Sequence, residues 1–134
     1  MNEIPQDLDW VKARAACSLV EVFQKLKADI RVDVDDRNSA RPPEARYKFS
    51  VANRGNSITV YSDGYPPMKS VVFTLATDRI SVADGDGEAM FEIALTLNDE
   101  GRCKPKIGGK EYEFWQVRRK ALEKLFFEFY PITP

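Results

Sequence analysis

Arg118 is the residue whose type and position most invite a chemical reading. In the last predicted helix, Phe114, Ala121, Leu122, Leu125 and Phe129 form an apolar stripe, and Arg118 falls in the middle of it. A guanidinium there has two uses. It can lay its stem on the core and carry its head to water or to a carboxylate, Glu92 on an acidic strand being one candidate. It can instead line a pocket and take an anion or a partner's carboxylate.

Around it lies a basic run. Arg118, Arg119, Lys120 and Lys124 follow Arg102, Lys104, Lys106 and Lys110, so residues 102–134 carry +4 whereas residues 1–101 carry −5. Such a segment could contact phosphates, with Trp115, Tyr112 and Phe114 stacking on bases. Against this, Glu111, Glu113 and Glu123 interleave, and Arg118 and Arg119 point to different sides of a helix. A solvated helix face is the simpler expectation, and a nucleic acid or another polyanion is the alternative partner.

Carboxylates also cluster. Asp84-Gly85-Asp86-Gly87-Glu88 sets acids at alternate positions, a density that calcium would need. The same letters make an ordinary tight turn between strands, so no metal and no cofactor is expected. Histidine is absent from the 134 residues, which removes the commonest general acid–base and metal ligand. No phosphate loop, nucleophile pair or metal-ligand spacing is present. These absences argue against an enzyme. Cys17 and Cys103 are the two cysteines. One bridge between them is formally allowed, but the first residues have neither a basic nor an apolar leader region. Both thiols are therefore expected reduced, in a cytoplasmic protein. No stretch approaches the length needed to span a membrane.

The elements that must position these residues follow from periodicity. A helix capped by Asp7 or Asp9 carries Leu8, Val11, Ala15, Leu19, Val22, Phe23 and Leu26 at helical spacing. After Lys27 the pattern becomes two-fold: Ile30, Val32 and Val34 alternate with Asp29, Arg31, Asp33 and Asp35, which reads as a strand. A loop follows from Asp36 to Glu44. Further strands are read around Tyr47, Phe49 and Val51; Ile58 and Val60; Val71, Phe73 and Leu75; Ile80 and Val82; Phe91, Ile93, Leu95 and Leu97; and an edge strand at 102–107 containing Pro105. The turns are Asn53-Arg54-Gly55-Asn56, Thr77-Asp78, Asp84-Gly85-Asp86-Gly87 and 98–101, with a break at Asp63-Gly64-Tyr65-Pro66-Pro67. Gly108-Gly109 forms a hinge, and the last helix runs from about Glu113 to Phe127, stopped by Pro131.

Short connections imply an antiparallel meander. The expected fold is one α+β domain over residues 1–134. Its sheet has about six or seven strands, and an N-terminal and a C-terminal helix pack on one face. A chain of 134 residues is long enough for one core without staples, and its apolar fraction of 43% is that of a globular domain.

Three aromatics project off the apolar faces: Trp10 on the first helix, Phe127 on the last, and Tyr61 on the polar side of its strand. The outer sheet face presents Val72, Thr74, Ala76, Ala94 and Thr96, which are mild and uncharged. Together they suggest a contact surface. The expected function is a non-catalytic protein-interaction module such as an adaptor, inhibitor or chaperone-like assembly protein. Its partner is another protein or a second copy in a homodimer, and no membrane is involved. The candidate binding residues are Arg118, Arg119, Lys120, Trp115, Tyr61, Trp10 and Phe127.

Overall fold

The computed structural model describes residues 7–63 and 69–130. The leader reading of residues 1–6, the break at 64–67 and the stop at Pro131 lie outside the described residues. Asp9 caps α1 (Trp10–Ala16), its carboxylate accepting from the Lys12 N–H at 3.2 Å. The helix was expected to run on to Leu26, but it stops at Cys17. Ser18 is extended (φ −106°, ψ 149°), and its hydroxyl accepts from the Glu21 N–H. Ser18-Leu19-Val20-Glu21 thus has the residue types of a helix start, and α2 (Leu19–Ser39) begins there.

The strand expected at 30–34 is a correction: those residues belong to α2. Ile30 and Val34 are buried while Val32 is exposed. Two apolar residues four apart satisfy a helix as well as a strand. The deciding context is Phe23 and Leu26 before them and Arg37 after, all at helical spacing and all buried. The aspartates between them suit a helix surface better than a strand.

Seven strands follow: β1 (Lys48–Asn53), β2 (Ser57–Asp63), β3 (Ser70–Leu75), β4 (Ile80–Asp84), β5 (Ala89–Leu97), β6 (Cys103–Ile107) and β7 (Lys110–Glu111). They pair in chain order, each antiparallel to the next. The sheet is the expected meander, but its membership differs. The seventh strand is the two-residue β7 and not the strand expected at 30–34, so β6 is not the last strand. The β6–β7 turn needs φ of +59° at Gly108 and +81° at Gly109. Two glycines supply that pair without steric cost.

The register puts Phe49, Ile58, Val60, Phe73, Ile80, Val82 and Ile93 on one face, all of them buried. Phe23, Leu26, Ile30 and Val34 of α2 join them in one cluster, as do Val117, Ala121 and Leu122 of α3 (Phe114–Glu123). Both long helices therefore lie on the same side of the sheet. The other side carries Ser50, Ala52, Thr59, Tyr61, Val72, Thr74, Ser81 and Ala83 across β1 to β4, with Lys48 and Asp63 paired at its end.

The last helix does not keep its period. After Glu123 it widens into a π turn over Lys124–Glu128, and the Phe129 N–H reaches the Lys124 carbonyl at 3.0 Å. The extra residue shifts the phase of everything beyond it. Phe129, expected in the apolar stripe, is exposed, and Tyr130 takes the buried position.

Candidate functional site

α2 and α3 lie side by side on the sheet, and the seam between them opens into a groove of about 330 Å³. Its lining includes Asp33 and Arg37 from α2, Trp115, Arg118 and Leu122 from α3, and Phe127 from the π turn. The lining is mainly apolar. Trp115 is 53% exposed and Phe127 47% exposed. Both are large rings left half in water beside a concave apolar surface, the composition in which interface anchors concentrate.

Arg118 is spoken for. Its Nε donates to Asp33 Oδ2 at 2.6 Å, and its Nη1 lies 3.6 Å from Asp29 Oδ2. Its side chain is 18% exposed. The carboxylate partner comes from α2, not from Glu92, which pairs with Arg79. The reason is the helical state of residues 29–35. One turn apart, Asp29 and Asp33 point along the same side of α2 and grip one guanidinium.

Arg37 is the residue that the sequence reading missed. It is only 3% exposed. Its Nε donates to the Phe126 carbonyl at 2.8 Å, and Nη2 donates to the Tyr130 carbonyl at 2.7 Å and the Tyr47 hydroxyl at 3.0 Å. Tyr47, Phe49 and Phe127 turn their rings to the guanidinium at 5.1–5.4 Å. Nη1 is buried with no hydrogen-bond partner. Its acceptors are neutral, and no carboxylate pairs with it among the described residues. Asp33, four residues earlier on α2, has the spacing to do so, but Arg118 holds it. A buried donor left unmade costs about 1–3 kcal/mol. Its signal in the sequence was its place on the Ile30–Val34 stripe, legible only once residues 29–37 are read as helix.

Of the seven candidate residues, the structure gathers Trp115, Arg118, Arg119 and Phe127 around this groove. Arg119 pairs with Glu123 one turn on. Lys120 points elsewhere, its Nζ 5.7 Å from the centre of the Phe91 ring. Tyr61 stands on the outer sheet face between Ser50 and Ser70, and Trp10 stands on α1, 64% exposed. The basic run is dispersed: Lys104 is buried against Glu113 at 2.6 Å, and Lys110 and Lys124 lie over Tyr112 and Phe129. In the acidic turn, Asp84 accepts from the Asp86 and Glu88 N–H groups, closing the turn itself. Among the described residues no group of three or more metal-ligating side chains converges.

The expectation of two reduced thiols is overturned: Cys17 and Cys103 form a disulfide. Because α1 ends at Cys17, that residue is laid against β6, and the two Cα atoms come within 5.3 Å. Among the described residues no helix is long and apolar enough to cross a membrane.

The chain matches no protein-family model, no curated protein and no solved structure.

Proposed function

We propose that this chain is a non-catalytic protein-interaction module and that the groove between α2 and α3 receives a segment of a partner protein. One observation carries the reading: Trp115 and Phe127 stand half exposed at a concave, mainly apolar seam. Fully packing such rings against a partner removes apolar surface from water at little entropic cost, since each has two side-chain torsions. The lack of any histidine weighs against general acid–base chemistry at this groove.

The nucleic-acid reading draws less support from the same geometry. Lys104, Arg118 and Arg119 already hold carboxylates, and each charge neutralised within the chain is one fewer for phosphate. A homodimer has its own supporting observation. Eight outward side chains over β1 to β4, from Ser50 and Ala52 to Ser81 and Ala83, carry no charge, with Lys48 and Asp63 opposite each other at one end of the same face, and a sheet face so poor in charge can pack on its own copy. The Cys17–Cys103 bond fits an oxidising compartment better than the expected cytoplasm. Counting free thiols on protein trapped with alkylating agent in its native host decides between the two.

The groove is tested by affinity capture from native lysate with wild type, Trp115→Ala and Trp10→Ala, each with and without nuclease. A partner retained by wild type and by Trp10→Ala, resistant to nuclease and lost with Trp115→Ala, is the expected result. Capture that survives Trp115→Ala, or that vanishes on nuclease treatment, overturns it. Light scattering on the purified chain measures the homodimer separately.

A further inference from the structure

The unpaired guanidinium nitrogen of Arg37 says what the partner's segment carries. Three of the guanidinium's needs are met by two carbonyls and a hydroxyl, all neutral, and no carboxylate among the described residues pairs with this interior cation, although Asp33 and Asp36 line the same groove. An interior cation is stable when a carboxylate neutralises it with good geometry. Here the carboxylate at helical spacing, Asp33, is held by Arg118, which leaves Nη1 open to an outside acceptor.

Of the three rings around the guanidinium, only Phe127 is exposed. Phe127 lies with its centre 5.2 Å from the Arg37 guanidinium carbon and is itself 47% exposed. It belongs to the π turn, a helix irregularity frequent at functional sites. A half-exposed side chain can change rotamer without disturbing the core. Arg37 and Phe127 line the same groove, so moving that ring opens the groove toward the guanidinium.

We propose that Arg37 is a carboxylate-binding site, capped by Phe127 in the free protein, and that it takes an acidic group presented next to an apolar side chain of a partner's segment. The carboxylate pairs with Nη1 while the neighbouring side chain lies in the groove against Leu122 and Trp115. This rests on the groove reading above and adds the chemistry of its ligand.

The test uses the whole chain with labelled arginine. Arg37 Nε–H is buried and hydrogen-bonded, so its resonance can be followed by NMR. The probes are 3-phenylpropanoate, its carboxamide 3-phenylpropanamide, and acetate. The expected result has two parts. Phenylpropanoate shifts the Arg37 resonance saturably, roughly tenfold more tightly than the amide, a preference in the range of a charge-assisted hydrogen bond. Acetate, which cannot use the groove, binds Phe127→Ala about fivefold more tightly than wild type, in proportion to the cap removed. Equal binding of acid and amide overturns the carboxylate site while leaving the apolar groove in place. No response of Arg37 to either acid, in wild type or in Phe127→Ala, overturns it outright. Failure of the groove reading shows elsewhere, as partner capture indifferent to Trp115→Ala.

Discussion

Arg118 Nε donates to Asp33 Oδ2 across 2.6 Å and ties the middle of α3 to the middle of α2. The pair is neither fully buried nor free in water, with side-chain exposures of 18% and 28%. Its worth therefore lies between that of an exposed ion pair and that of a buried one. Arg118→Ala should cost about 1–3 kcal/mol, because it strands Asp33 at a half-buried seam. Asp33→Ala should cost less, since Asp29 lies 3.6 Å from the same guanidinium and keeps part of the attraction. Urea unfolding of both single variants and the double variant gives the coupling, expected at about 1 kcal/mol. A coupling of zero would show that the two residues are only neighbours.

A different polar contact finishes the sheet. β1 is an edge strand, and the Asn38 side chain meets it from α2. Its Nδ2 donates to the Phe49 carbonyl and its Oδ1 accepts from the Phe49 N–H, both at 2.8 Å. One amide thus does locally what a neighbouring strand would do, and it covers part of the open edge. Asn38→Ala should cost about 1–3 kcal/mol, since two backbone groups lose partners beside the buried Phe49 ring. Asn38→Asp keeps the acceptor and loses the donor, so it should fall between wild type and alanine. Amide exchange at Phe49 is the direct readout: it should speed up in Asn38→Ala, and an unchanged rate would assign the protection to something else.

What was legible in the sequence was whatever leaves a period. β1 to β5 could be read because each buries one face, so Phe49, Ile58, Phe73, Ile80 and Ile93 alternate with small or polar residues. The stretch at 29–35 also alternated, but Ile30 and Val34 fit both periods, and only the tertiary context of α2 resolves them. That single misreading hid three features of the site at once. It sent Arg118 to Glu92 for a partner, it kept Asp29 and Asp33 apart from α3, and it put Arg37 in a loop. The π turn was beyond reach for another reason. It changes the helix phase without changing residue types, so Phe129 and Tyr130 exchange places with nothing in the sequence to mark it. The groove itself is made by two helices far apart in the chain, and spacing along one of them cannot show it.

Two cysteines allow the disulfide, but nothing in their spacing shows that the chain brings them together, and the bond leads to the last prediction. α1 has no buried residue of its own, so little apolar area holds it in place. Its firm attachment is at its C-terminal end, where Cys17 is bonded to Cys103 across 86 residues of sequence. Closing so long a loop restrains the unfolded chain strongly, and removing the bond should cost about 2–4 kcal/mol. The loss should also have a local signature. After reduction, or in the Cys17→Ala/Cys103→Ala variant, amide exchange should rise through residues 10–16, whereas α2 should keep its protection because Ser18 caps it independently. Urea unfolding with and without reductant measures the first effect and exchange mass spectrometry the second. Reductant should leave the double variant unchanged. An α1 still protected after reduction would mean that packing, not the covalent bond, holds the first helix to the sheet.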